Sequence, residues 1–263
     1  MFASLRVQHD GPVAILTLAR PDRLNALSAA MVGEVAAALE LVEDSDARCL
    51  VVHGAGRAFC AGADLRSLAT EIDLDDSRAV HDYVVSWGRN IERLHTLRVP
   101  SIAAVHGVAY GGGFSLALAC DLMVATADAR LNTQYINIGI NPDMGSSWLL
   151  PRRINPAAAR ALFLRGNEIS GRRAYELGLV SELAPDDDVL ATATTIAHEL
   201  AGRDPAAVTA TRALLDAAAN QTLATSIEHE AGGIARRFTT PEFQGLLAAF
   251  GARSLHEPRG TSC

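Results

Sequence analysis

Residues 104–116 read Ala-Val-His-Gly-Val-Ala-Tyr-Gly-Gly-Gly-Phe-Ser-Leu: an apolar strand-like run, three consecutive glycines at 111–113, then an apolar run with helical spacing. Consecutive glycines let the backbone take φ > 0 and approach a bound group with no Cβ in the way. A helix starting directly after them offers unpaired N–H groups and the positive end of its dipole. That combination suits an oxygen on which negative charge sits or develops. Just past the glycines, where an acid would complete such a site, stands Ser115.

Working outward, Val13-Ala14-Ile15-Leu16-Thr17-Leu18 predicts a buried strand ending in the Arg20-Pro21-Asp22-Arg23 turn. Ser28 is placed to cap a helix running through about Glu43, with Met31, Val35, Ala38 and Leu39 on one face. A second strand, Cys49-Leu50-Val51-Val52-His53, leads through Gly54-Ala55-Gly56 into a loop at 59–65 and a polar, mobile segment at 66–80. A helix over about 81–96 precedes a third strand beginning at Ser101. Strands alternating with helices predict an α/β core with sizeable crossovers. From about Pro156 the pattern becomes Ala-rich and helical, near 156–164, 170–178, 188–202, 205–219, 223–237 and 241–250. We therefore expect a core over residues 1–200 and a helical region over 201–263, docked on that core or on a neighbouring subunit. Neither an internal repeat nor a Pro/Gly/Ser linker separates the two.

A length of 263 residues, with 49% hydrophobic and 20% charged content, describes a chain able to bury a sizeable core. A net charge of −7 argues against a nucleic-acid partner and against adhesion to an anionic membrane. All 23 basic residues are Arg, which excludes Schiff-base chemistry on a lysine. Cys49, Cys60, Cys120 and Cys263 show no C-x-x-C spacing, and Met1–Arg6 shows no signal peptide, so reduced thiols in a cytoplasmic protein are expected. Residues 101–120 carry no Asp, Glu, Lys or Arg, but glycines and a strand–loop–helix pattern mark them as buried core rather than a membrane span. No His/Cys/carboxylate cluster has metal-ligand spacing.

Three segments in order resemble the crotonase superfamily, the enoyl-CoA hydratase/isomerase family: Arg20-Pro21-Asp22-Arg23-Leu24-Asn25-Ala26-Leu27-Ser28, Arg57 through Leu65, and Ala104 through Asp121. Pro142-Asp143-Met144-Gly145 running into Trp148-Leu149-Leu150-Pro151-Arg152, and Gly171 through Val180, extend the likeness over nearly the whole chain. The resemblance implies a spiral of ββα units with a C-terminal helical region that builds trimers or pairs of trimers. It implies an acyl-CoA thioester as substrate, with coenzyme A entering as part of that substrate and no separate cofactor. The backbone N–H groups of Ala63 and Gly112 match the family's oxyanion hole, and Ala61, Asp64, Leu65, Gly111, Ser115 and Tyr135 fall where substrate is bound.

The departures carry as much weight. The family's hydratases place glutamates at the positions of Ser115 and Tyr135, so paired-glutamate activation of water is not available here. Asp143 matches a position where an aspartate acts as acid/base in some isomerases and dehalogenases of the family. The dehalogenases add a Trp at the Tyr135 position and a histidine on the preceding helix, which His81 only loosely supplies. Outside that match, Asp143 sits in ordinary Pro-led turn chemistry. Ser115, in Gly113-Phe114-Ser115-Leu116-Ala117, is close to a G-x-S-x-[GA] nucleophile elbow, for which His198 or His229 would have to serve as base. Asp64 reads as fixing its loop, Cys60 as packing, and His53 and His106 as satisfied core or rim histidines. Arg236-Arg237-Phe238 is either a solvated helix end or a contact for coenzyme A phosphates.

These readings favour double-bond isomerisation of an enoyl thioester, with Asp143 as acid/base and the charge held by Ala63 and Gly112. The alternatives are a hydratase with non-standard residues, a Ser115-dependent acyl-CoA hydrolase, and a non-catalytic acyl-CoA-binding relative. A Rossmann dehydrogenase is disfavoured, because no G-x-G-x-x-G follows a first strand.

Overall fold

A computed structural model describes residues 2–185 and 188–254; Cys263 and the rest of 255–263 lie outside the described residues. The chain divides after Arg203 into two compact units. In chain order the strands of the first are β1 (Leu5–Asp10), β2 (Val13–Leu18), β3 (Cys49–Gly54), β4 (Ser101–Val105) and β5 (Val108–Tyr110). They continue with β6 (Leu122–Thr126), β7 (Arg130–Asn132), β8 (Ile169–Ser170) and β9 (Glu182–Ala184). Its helices are α1 (Met31–Glu43), α2 (Leu65–Glu71), α3 (Ser77–His95) and α4 (Gly112–Ala119), then α5 (Ser146–Arg153), α6 (Pro156–Arg165), α7 (Gly171–Glu176) and α8 (Val189–Ala201).

Six strands form the main sheet in the order β1-β2-β3-β4-β6-β9. The β1–β2 hairpin is antiparallel and every later pairing in this sheet is parallel. Strand periodicity sorts the side chains into two cores. Ala14, Leu16, Leu18, Leu50, Val52, Ala103 and Val105 join α1, α3 and α4 on one face. Val13, Cys49, Val51, Ile102, Ala104 and Val124 face α8 on the other. That helix presents Val189, Ala193, Ala197 and Ala201 at four-residue spacing, and three small side chains let it lie close on the sheet. A second sheet, β5-β7-β8, stands beside the first and carries the glycine turn.

Several expectations change. Strand β1 was not predicted, because its residues past Leu5 are largely exposed and carry no apolar alternation. Helix α1 begins at Met31 with no side-chain cap; Ser28 is buried and accepts the Met31 N–H through its main-chain carbonyl at 3.1 Å instead. The polar segment 66–80 carries α2 and the first turn of α3, because the Asp64 and Asp76 carboxylates cap their N-terminal amides. Residues 101–120 divide into β4, β5 and α4, and no helix among the described residues is long and apolar enough to cross a membrane.

The second unit consists of α9 (Pro205–Ala218), α10 (Leu223–Phe238) and α11 (Pro241–Ser254). Asp204 caps α9 through the Ala207 amide at 2.8 Å and pairs with Arg237 of α10 at 2.6 Å. In the Arg236-Arg237-Phe238 cluster, Arg237 is thus held by Asp204, and Phe238 stacks on Phe243 with ring centroids 4.4 Å apart.

Candidate active site

Parallel strands β3 and β4 end side by side, and the segments leaving their carboxyl ends are zipped together. Phe59 N–H donates to His106 O, Cys60 N–H to Val108 O, and Tyr110 N–H back to Cys60 O, at 2.9–3.0 Å. On its other side the same segment meets the loop after β2. Leu27 N–H donates to Gly62 O and Asp64 N–H to Leu27 O, a parallel bridge across Ala63. In such a bridge the flanking residues make the bonds, so the Ala63 N–H points away from Leu27. Gly112 is the first residue of α4, and its N–H has no intrahelical acceptor.

Close packing brings these two amides to one place. Gly62 has φ +90°, and a Cβ there would lie 2.7 Å from Tyr110 O and 3.7 Å from Gly112 N. Gly111, at φ +49°, turns the chain into α4, and a Cβ on Gly113 would lie 2.3 Å from Cys60 O. The glycine run is therefore what allows a helix N-terminus to sit against the 60–63 segment.

Asn25 and Arg20 hold this junction from behind. Buried Asn25 donates through Nδ2 to Ala55 O and Ala58 O and accepts the Arg20 N–H on Oδ1, at 2.7–2.9 Å. The Arg20 guanidinium pairs with Asp64 at 2.8 Å. Burial works against the Asp64 charge, but Arg20 and the Ser67 and Arg66 amides together hold its carboxyl below the usual carboxylate range. Cys60 is fully buried, and burial pushes its thiol up to about 12, which leaves it inert packing.

In front of Ala63 and Gly112 opens a cavity of about 380 Å³. Its polar wall includes Ala61, Gly62, Ala63, Gly111, Gly112, Tyr135 and Asp143; its apolar wall includes Leu65, Leu68, Val84, Trp87, Ile138 and Met144. Asp143 reaches it from the turn that starts α5. The Ser146 N–H and hydroxyl both donate to the Asp143 main-chain carbonyl, at 3.0 and 2.9 Å. The carboxyl Oδ1 is buried with no hydrogen-bond partner among the described residues. Burial is the main influence on this carboxyl and raises it above the ordinary 3.8, partly offset by the nearby Tyr135 hydroxyl. Met144 and Gly145 both adopt left-handed backbone, φ 46° and 70°, and for Met144 that costs roughly 1–2 kcal/mol.

Of the sequence-predicted site residues, Ala61, Ala63, Leu65, Gly111, Gly112, Tyr135 and Asp143 line this one cavity. Asp64 and Ser115 are not among its lining residues. Asp64 caps α2, and Ser115, fully buried in α4, lies 3.2 Å from Gly111 O and 2.9 Å from the Tyr135 hydroxyl. No histidine lines the cavity. His81 is exposed and meets Asp82 at 3.1 Å, His198 pairs with Asp10 at 2.9 Å, and His229 belongs to α10. His81, which only loosely supplies a dehalogenase histidine, and His198, a candidate base for Ser115, are thus directed elsewhere. His53 and His106 are only half satisfied: His106 Nε2 meets Gly56 O at 2.9 Å and the rings stack at 5.1 Å, but the Nδ1 of each is buried without a partner among the described residues.

Nothing in the sequence marks the cavity's α3 wall. Tyr83 and Trp87 stand one helical turn apart on the buried face, a spacing visible in the sequence but indistinguishable there from core packing. Burial raises the Tyr83 hydroxyl above its ordinary 10, and Asp143 is among the charges it feels.

The comparisons with known proteins come from three directions. Residues 8–254 match the family model described as enoyl-CoA hydratase/isomerase. The "Probable enoyl-CoA hydratase" of Mycobacterium bovis is 40% identical over 202 residues, 75% of this chain and 76% of that protein. The 1,2-epoxyphenylacetyl-CoA isomerase of Escherichia coli is 36% identical over 223 residues, 83% of this chain and 84% of that enzyme. An enoyl-CoA hydratase structure from Polaromonas superposes with TM-score 0.88 at 33% identity, covering 95% of this chain and 97% of its own. That superposition identifies the α/β crotonase fold with C-terminal helices. A family model over nearly the whole length, and relatives at this identity and coverage, establish that the chain belongs to the enoyl-CoA hydratase/isomerase (crotonase) family.

Proposed function

We propose that this protein moves the double bond of an enoyl-CoA thioester, with Asp143 as the single acid/base and the Ala63 and Gly112 amides as the oxyanion hole. The observation that carries the reading is the buried, unpartnered Asp143 Oδ1 in the cavity lined by both amides. A carboxylate in that position takes a proton from C2 of a 3-enoyl thioester. The electron pair moves onto the thioester oxygen, where two N–H groups receive it. The same proton, now on Asp143, returns to C4 as the pair flows back, and the 2-enoyl thioester leaves. No water enters the balance.

Hydration would need two groups that hold and deprotonate a water. The two positions where the family's hydratases keep glutamates hold the Ser115 and Tyr135 hydroxyls, bonded to each other at 2.9 Å. Burial raises the Tyr135 hydroxyl further above its already high ordinary value, so it does not serve as a base near neutral pH. Hydration remains the second reading because the Mycobacterium bovis relative carries a hydratase name. We further take the assembly to be a trimer or a pair of trimers, for which α10 offers exposed Leu223, Ile227, Ile234 and Phe238; analytical ultracentrifugation decides this.

The test is incubation with 2-enoyl-CoA, 3-enoyl-CoA and, because of the Escherichia coli relative, 1,2-epoxyphenylacetyl-CoA, followed by chromatography with mass spectrometry. Unchanged mass at a new retention time, lost in Asp143→Asn, is the expected result. A gain of one water establishes hydration instead. Turnover of none of the three, across chain lengths, overturns the reading in favour of an acyl-CoA-binding relative.

A further inference from the structure

Two residues lining the cavity each hold a buried polar atom with no hydrogen-bond partner among the described residues. One atom is the acceptor Asp143 Oδ1, which the proton transfer employs. The other is Nε1 of Trp87, a side chain only 3% exposed. An indole nitrogen donates and never accepts, and nothing in the proton transfer calls on it. A buried donor left unpaired destabilises the folded chain, and native proteins keep few of them.

Tyr83 stands one turn earlier on α3, on the same wall of the cavity. Its hydroxyl is near enough to feel the Trp87 N–H, yet the two do not meet in hydrogen-bond geometry. A phenol oxygen drawn toward an N–H keeps its own proton to give. The α3 wall therefore presents two neighbouring donors, and Leu68, Val80 and Val84 beside them on the lining offer no side-chain acceptor. A water placed there finds the indole and the phenol, the low end of the about two to four partners a buried water keeps. A hydrocarbon chain gives neither donor anything.

We propose that the acyl group this cavity takes carries an acceptor oxygen of its own, and that the Trp87 N–H and the Tyr83 hydroxyl receive it. The thioester oxygen is not that acceptor, since it goes to the Ala63 and Gly112 amides. A hydroxyl, ketone or ether oxygen suits, because each presents lone pairs to two donors. A carboxylate does not, because the lining has no Arg or His to pair with it and holds the Asp143 carboxyl. The substrate class is thus a neutral, oxygenated acyl-CoA. This rests on the cavity being the acyl-CoA site of the proposed reaction, and not on Asp143 being the acid/base. A site that hydrogen-bonds a substrate oxygen rejects the analogue lacking it far more strongly than an apolar pocket rejects a missing methylene.

The test weighs matched thioesters that cannot isomerise, by calorimetric titration of the full chain. Hexanoyl-CoA is set against its 4-, 5- and 6-hydroxy forms, and phenylacetyl-CoA against its ring-hydroxylated forms. At least one oxygenated member is expected to bind about tenfold or more tightly than its plain partner. Trp87→Phe keeps an aromatic ring and removes the N–H. It is expected to erase most of that preference while leaving the plain thioester's affinity within about twofold. Tyr83→Phe is expected to erase part of it. Should Trp87→Phe fail to fold, the wild-type indole reads the same bond. Trp87 and Trp148 are the chain's two tryptophans, so Trp148→Phe assigns both indole signals in 15N-labelled protein. The Trp87 indole proton is expected to move downfield with the oxygenated thioester and not with the plain one. Equal affinity within every pair, a preference unchanged in Trp87→Phe, or an indole signal that answers both members alike overturns the proposal. Binding of none of the thioesters overturns the acyl-CoA reading with it. The expected preference without turnover of any enoyl thioester sinks the isomerase reading alone.

Discussion

The Arg20 guanidinium lies 2.8 Å from the Asp64 carboxylate, tying the loop after β2 to the residue that follows the Ala63 amide. Asp64 also caps α2, so one side chain fixes both the segment carrying the Ala63 amide and the helix that walls the cavity. Arg20→Ala should leave the fold intact and lower kcat/KM by about tenfold, since small misplacements of positioned groups cost that much or more. Asp64 has a lowered pKa, so the ion pair stabilises fully above its ordinary value of 3.8 and is lost as pH falls below it. Chemical denaturation at pH 7 and pH 3 should show that Arg20→Ala is destabilised more at the higher pH, the loss of its bond to Ala26 O being common to both.

Asp143→Asn should separate activity from stability. Removing the proposed acid/base should cut kcat by at least about a hundredfold, the usual contribution of such a group. The raised Asp143 carboxyl means that ionising it costs the folded state, a penalty absent at acid pH and present once pH exceeds the folded value. The variant should therefore melt higher than wild type at pH 7, with the difference vanishing near pH 3. A lower melting temperature at pH 7 would count against the buried, unpartnered carboxylate.

His53 makes the fold acid-sensitive. Its pKa is lowered from 6.5 to about 4, chiefly by burial and then by the neighbouring His106. The unfolded chain then binds protons before the folded one does, so the His53 contribution is intact above pH 6.5 and lost as pH falls from 6.5 towards 4. His53→Gln should flatten stability across that window, as read from denaturation midpoints at closely spaced pH values.

The glycines should divide by what surrounds them. Gly113→Ala would set a Cβ 2.3 Å from Cys60 O, which is backbone and does not yield, so a loss of about 1–3 kcal/mol and of turnover is expected. Gly33 in α1 and Gly88 in α3 have nothing within 4 Å of an added Cβ. Alanine at either should stabilise by about 1 kcal/mol through helix propensity alone. Thermal denaturation of the three variants checks both halves.

Much of the fold is legible in the chain because its periodicities are strong. The apolar runs at 13–18 and 49–53 become β2 and β3 within one residue, and the helix expected from 205 to 219 is α9. What the periodicity lacks, the reading missed: β1 is polar, β5 and β7 are three residues long, and α2 depends on an Asp64 cap rather than on apolar spacing. The candidate site divides in the same way. The glycine run marks the turn at 111–113, and the pairing of Ala63 with Gly112 follows from the family resemblance, whereas Trp87 and Tyr83 carry no mark that separates a cavity wall from a core face.

By itself the sequence determined the family, the α/β order of elements, the glycine turn that opens α4 and the lack of glutamate at positions 115 and 135. These are properties of residue identity and local spacing. Only the tertiary structure decided that Asp143 Oδ1 is buried without a partner among the described residues, that His53 stacks on His106, and that the Tyr135 hydroxyl meets Ser115 rather than standing alone. Each of those depends on contacts between distant segments, where burial and a single shared proton set the chemistry, and neither quantity is written in any one stretch of chain.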